Sequence, residues 1–131
     1  MRVGTGELQN SALSDTSNKI PGGGLTSTAA DMAAFVAAAN AGVLLQPATR
    51  DGMFTRQKTR DGKRTEYGLG WRVEERRGRR EVWQNGGQPR VSTFLYLQPD
   101  RRVAVALLCN LEGVAPALGE LAREIADVST R

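Results

Sequence analysis

Histidine is absent from the 131 residues of this chain. Its absence removes the commonest general base and the commonest zinc ligand. With a single cysteine, a metal site would have to rest on carboxylates alone, and no clustered carboxylate spacing is visible. Cys109 has no intrachain partner, so no disulfide framework is implied. Inside an apolar run it is expected to pack as a small hydrophobe. No apolar stretch approaches the ~18 residues of a membrane span, and Met1 to Glu7 lacks the apolar core of a signal peptide. We therefore expect no membrane segment, no metal, no cofactor and, for the chain as written, a cytoplasmic location.

Charge of either sign is modest. Eighteen Lys and Arg stand against fourteen Asp and Glu, and a net +4 serves solubility rather than nucleic-acid binding. Arg76-Arg77-Gly78-Arg79-Arg80 is the one basic cluster. It has the means to grip phosphate, but no aromatic platform or recognition helix accompanies it, so a solvated hairpin tip is expected and no nucleic-acid partner. A hydrophobic fraction of 40% is enough for a core, and residues 1–131 are read as a single domain with an irregular segment over 1–20.

The most legible block runs from Glu81 to Asn110. Val82-Trp83 leads into a turn expected within Trp83 to Pro89, because Asn85-Gly86 is the dipeptide that most readily takes positive φ at both turn positions. Val91 to Leu97 reads as a strand, Pro99-Asp100-Arg101-Arg102 as the next turn, and Val103 to Cys109, apolar without alternation, as a strand buried on both faces. Upstream, Tyr67, Leu69, Trp71 and Val73 alternate with Gly68, Gly70, Arg72 and Glu74, which predicts a further strand with one buried face.

Helices are expected on either side of this sheet. Thr26-Ser27-Thr28 offers capping hydroxyls, and Met32, Phe35, Val36 and Ala39 form a helical stripe that Gly42 ends. Leu44-Leu45 is expected to close the apolar side, and Pro47 to open a short helix through Phe54. Thr55 to Glu66 reads as an exposed loop. Pro116 starts a last helix whose Leu118, Leu121, Ile125 and Val128 are expected to lie across the sheet. The fold class is α+β, an antiparallel sheet of about four strands with an N-terminal helical segment and a C-terminal helix packed on it. Three successive glycines, Gly22 to Gly24, mark either a flexible linker or a place where backbone is closely approached.

Four markers in order carry a resemblance. Pro21 to Met32 (PGGGLTSTAADM), Tyr67 to Trp71 (YGLGW), Trp83 to Pro89 (WQNGGQP) and Val105 to Asn110 (VALLCN) are together similar to the C-terminal part of the serine β-lactamase-like hydrolases. That superfamily includes class C β-lactamases, D-alanyl-D-alanine carboxypeptidases and esterases. The resemblance covers nearly the whole chain but only the last part of the family's catalytic domain, so it implies a partial β-lactamase/transpeptidase-like fold. Those enzymes acylate the serine of a Ser-x-x-Lys element, and a Lys/His-Thr/Ser-Gly element lies on the strand that borders the site. By resemblance Gln84 takes the Lys or His position, Asn85 the Thr or Ser position and Gly86 the glycine. The amide of Gly87 takes the place that helps form the oxyanion hole.

No serine in the chain has lysine three positions on, and no second Tyr-x-Asn or Tyr-x-Ser element is present. The expectation is therefore an acyl-pocket wall without its nucleophile, inactive alone, with a small acyl compound as substrate if the missing portion is supplied. The alternative is a non-catalytic module that binds itself or a partner. Either way, strand Val103 to Cys109 or the N-terminal segment is expected to recruit a second copy or a complementing N-terminal portion, because an unpaired apolar edge attracts another strand. Trp71 and Trp83 are expected as core or rim aromatics rather than substrate platforms.

Overall fold

Two tight hairpins determine how the sheet is laid out. The computed structural model describes residues 10, 13, 15, 17–20 and 22–129. In it four strands, β1 (Arg72–Arg76), β2 (Arg79–Gln88), β3 (Val91–Gln98) and β4 (Val103–Cys109), form one antiparallel sheet in the order β1-β2-β3-β4. Helix α1 (Ala29–Asn40), helix α2 (Pro47–Met53) and helix α3 (Ala115–Val128) complete the architecture. This is the expected α+β arrangement.

Arg77 (φ 54°) and Gly78 (φ 71°) both take positive φ between β1 and β2, the pattern of a type I′ turn. The turn between β2 and β3 is Pro89-Arg90, flanked by the register pair Gln88↔Val91, with Arg90 at φ 71°. It is not at Asn85-Gly86, which lies inside β2 opposite Phe94 and Thr93. Proline supplies the fixed φ at the first turn position and removes a donor that the strand does not need. The competing Asn-Gly signal loses because a turn there would leave Val91, Ser92 and Thr93 without partners. The third connection falls where expected, a single 3-10 turn at Pro99–Arg101 that ends with Arg102 at φ 57°.

Register divides the side chains into two layers. Val82, Leu97 and Ala104 share one face with Val36 of α1, Phe54 and Trp71, and Phe54 meets Trp71 edge-on at 5.9 Å. Trp83, Phe94, Tyr96 and Val105 share the other with Ala122 and Ala126 of α3. Each fully buried aliphatic or aromatic side chain contributes roughly 1.5–3 kcal/mol. Thr28 caps α1, its Oγ1 accepting from the Asp31 amide at 3.1 Å. The far end of α1 is fixed by Asn40 Nδ2 donating to the Pro99 carbonyl at 3.1 Å.

Several faces differ from expectation. On α1, Val36 and Ala39 are buried, but Phe35 is 51% exposed, and Leu44 does not close that side. On α3 the buried positions are Gly119, Ala122 and Ala126, whereas Leu121, Ile125 and Val128 face outward. Small residues win the contact because they let the helix axis approach the Phe94 and Tyr96 rings closely. A Cβ on Gly119 would stand 3.0 Å from Phe94. Tyr67 and Leu69 are exposed and precede β1 as loop, joined to it by a single bridge, Tyr67↔Arg72. Gly68 explains the departure from strand geometry: a side chain there would collide with the Met53 carbonyl. Strand β4 is packed on both faces as expected, Ala104 against the α1 layer and Val105 against α3, but Leu108 is about half exposed. Thr55 to Glu66 is loop, crossed by the bridge Lys58↔Arg64. Of the irregular segment 1–20, most lies outside the described residues, and Ser17–Lys19 form one 3-10 turn.

Candidate functional site

The candidate residues Gln84, Asn85, Gly86 and Gly87 occupy the second half of β2, past the point where β1 ends. The β1–β2 register stops at Arg72↔Trp83, while β2 continues against β3 to Gln88. From Gln84 onward β2 has β3 on one side, and among the described residues no strand lies on the other.

Which backbone groups face that open edge follows from the hairpins. A two-residue loop is closed by hydrogen bonds between the residues flanking it, and along an antiparallel pair bonded and non-bonded positions alternate. The Arg76↔Arg79 closure makes residues 79, 81 and 83 of β2 point toward β1. The Gln88↔Val91 closure makes 88, 86, 84 and 82 point toward β3. The two hairpins fix the same phase independently. The N–H and C=O of Asn85 and Gly87 therefore project from the open edge, and both residues are exposed.

Gly86 sits between them with its Cα against β3. A Cβ there would come within 2.7 Å of Thr93 Oγ1, so glycine lets the two strands stay paired at this point. Gly87 has no such constraint, since a Cβ would meet nothing closer than the Val91 carbonyl at 3.9 Å. Side chains alternate as the pleat requires. Gln84 faces the α1 layer, its Oε1 enclosed without a hydrogen-bond partner among the described residues. Asn85 faces the α3 layer and borders a 330 Å³ cavity with Trp83, Phe94, Pro116 and Gly119.

The end of the wall is held by the glycine run. Gln88 Nε2 donates to the Gly23 carbonyl at 2.9 Å, and Lys19 Nζ donates to Gln88 Oε1 at 3.4 Å. The run is thus a site of close backbone approach, while its neighbour Pro21 lies outside the described residues. At the other end a feature escaped the sequence reading. The Arg72 guanidinium lies over both the Tyr67 ring (4.7 Å) and the Trp83 ring (5.1 Å) and bonds Glu66 at 2.9 Å. The alternating run Tyr67 to Val73 hid it, because a strand reading assigns Arg72 simply to solvent. Trp83 in turn stacks on Phe94 at 5.1 Å, which makes it a rim aromatic of the wall.

No activated hydroxyl stands beside these amides among the described residues. Ser92 is opposite Gly87 in register, but it is buried and its Oγ accepts the Val114 amide at 3.2 Å. Ser129 Oγ donates to the Ile125 carbonyl at 2.8 Å, and Ser27 lies exposed in the loop before α1. The basic tip engages acids: Arg79 pairs with Asp127 at 2.9 Å and Arg80 with Asp100 at 3.1 Å. No group of three acidic, histidine or cysteine side chains is placed to hold a metal ion among the described residues. Among them, too, no helix is long and apolar enough to cross a membrane.

An antiparallel sheet between helical layers, with a glycine-bearing strand whose amides face an open edge, fits the serine β-lactamase-like class. The Beta-lactamase family model matches residues 2–130, and the chain belongs to that family. No curated protein matches the chain.

Proposed function

We propose that this chain forms the anion-stabilising wall of an acyl-transfer site, and that the attacking hydroxyl comes from a Ser-x-x-Lys element outside these 131 residues. Gly87, with Asn85 beside it, aims a backbone amide at the oxygen that becomes negative as a serine adds to a carbonyl. Preorganised donors of this kind stabilise the transition state at no reorganisation cost. Gln84 takes the position where relatives carry Lys or His; it offers a hydrogen bond but neither positive charge nor a proton shuttle. The substrate class is a β-lactam, a D-alanyl peptide or an ester, and the product leaves by hydrolysis of an acyl-serine. The observation that carries this reading is the pair of outward amides on the one stretch of β2 that β1 leaves open.

Two measurements test it. The isolated chain, incubated with a fluorescent penicillin, a chromogenic cephalosporin and a p-nitrophenyl ester, should show no covalent adduct by intact mass. An adduct on a serine of this chain would place the nucleophile inside it. With a Ser-x-x-Lys portion supplied in trans, Gly87→Pro removes one donor and should cost about 10²–10³ in acylation rate. Unchanged acylation would remove Gly87 from the wall.

The sequence also favours a second reading, a non-catalytic module, since it has glutamine at position 84 and no Ser-x-x-Lys. Failure of any added Ser-x-x-Lys portion to restore labelling would select it.

A further inference from the structure

Lys58 and Arg64 face each other across the bridge that closes the loop between α2 and β1. Like charges directly opposite one another are unfavourable. Both side chains are exposed, and neither makes a hydrogen bond or ion pair among the described residues. The backbone nevertheless holds them there. The Thr59 amide donates to the Lys63 carbonyl and the Thr65 amide to the Gln57 carbonyl, each at 2.9 Å, and Arg56 Nε ties the loop to β1 through the Val73 carbonyl at 2.7 Å. Arg56, Lys58 and Arg64 line a 600 Å³ cavity with Arg80. A second cavity of 570 Å³, lined by Arg50 and Arg102, shares Phe54, Arg80 and Asp100 with the first. Arg80 therefore stands at their junction. One of its terminal nitrogens bonds Asp100 at 3.1 Å, but its Nε is enclosed without a hydrogen-bond partner among the described residues. An enclosed donor of this kind requires an acceptor from outside the chain.

Carboxylates do not balance these cations. Asp51 pairs with Arg50, Asp100 with Arg80, and Glu74 reaches Arg123 of α3. Glu75 is left to face the charges of Arg56, Lys58, Arg64 and Arg102. We infer that the junction at Arg80 binds a small phosphate-bearing anion. A phosphate carries more than one negative charge and several acceptor oxygens, so it answers guanidinium forks arriving from different elements, whereas a monocarboxylate answers one. Cavities of this volume suit a small molecule rather than a polymer. The lining comes from α1, α2, the loop, β1, the start of β2 and the Pro99–Arg101 turn, so the chain itself shapes the site. The inference is independent of the acyl-transfer reading, because Arg80 lies about 24 Å along β2 from Gly87.

Isothermal titration of the intact chain with inorganic pyrophosphate at low ionic strength, where screening is weak, tests it. Saturable one-to-one binding is expected. Arg64→Gln and Arg80→Gln should each weaken it about tenfold or more. Lys63→Gln should leave it unchanged, since Lys63 pairs with Asp61 at 3.2 Å and lines neither cavity. Should Arg80→Gln fail to fold by circular dichroism, Lys58→Gln takes its place, because the Lys58 side chain bonds nothing that the fold needs. Absence of saturation, equal weakening by Lys63→Gln, or acetate binding as tightly as pyrophosphate overturns the inference. Retention on duplex DNA or anionic vesicles that pyrophosphate does not compete away also overturns it, in favour of a polymer or membrane surface.

Discussion

Glu81 is 5% exposed, and Arg123 Nε bonds its Oε2 at 2.9 Å. The same guanidinium reaches Glu120 at 3.3 Å and Glu74 at 3.5 Å. Burial works against the Arg123 cation, but the bond and charge of Glu81, with Glu120 and Glu74, outweigh it and raise its pKa. Truncating Arg123 to alanine should cost about 3–5 kcal/mol in urea unfolding, since it strands a buried carboxylate. The double variant Arg123→Met with Glu81→Leu should recover most of that loss, and recovery of none would show that the pair is not the source. Beside them Tyr96 is fully buried, and its phenol is pushed up to about 12, chiefly by burial, with the Glu81 charge adding and the Gln98 bond opposing. The folded state holds this proton where the unfolded chain has released it. The contribution is therefore complete below the phenol's ordinary value near 10 and is lost as pH rises from there to about 12. Thermal melts of Tyr96→Phe should show a shallower loss of stability over that window than wild type; parallel curves would contradict it.

At the level of elements, the sequence reveals what local chemistry controls and conceals what packing controls. The cap at Thr28, the start at Pro47, the turn at Pro99–Arg101 and the meander were all readable, because hydroxyls, proline and alternating or apolar runs act within a few residues. Three features depended on distant partners. Asn85-Gly86 was expected to turn but stays extended because β3 pairs with it through Thr93 and Phe94. The leucine and isoleucine stripe of α3 was expected inward, yet Gly119, Ala122 and Ala126 make the closer contact with the aromatic rings of β3. The outward amides of Asn85 and Gly87 were invisible until both hairpins fixed the phase. The Gln84 to Gly87 motif was assigned by resemblance alone, and Arg72 over Tyr67 and Trp83 was not legible, since cross-strand neighbours are not sequence neighbours. The β1–β2 turn gives an element-scale test. Arg77 adopts φ 54° without the tolerance of asparagine for that region. Arg77→Asn creates the preferred Asn-Gly pair and should raise stability by roughly 0.5–1 kcal/mol in chemical denaturation. A destabilised variant would mean the turn is not type I′.

For the whole molecule, among the described residues the outer edge of β4 and the second half of β2 each lack a neighbouring strand on one side, and they differ in character. Along β4 the edge is apolar from Val103 to Cys109. Along the second half of β2 it is short and glycine-rich, with Asn85 and Gly87 exposed. The chain belongs to the Beta-lactamase family over residues 2–130. An anion-stabilising wall here requires the backbone of β2 to present alternate amides outward. Amide hydrogen exchange followed by NMR reads this residue by residue. Fast exchange is expected at Asn85 and Gly87, between protected neighbours Gln84, Gly86 and Gln88. Uniform protection from Gln84 to Gln88, or fast exchange at Gly86 with protection at Gly87, would contradict it.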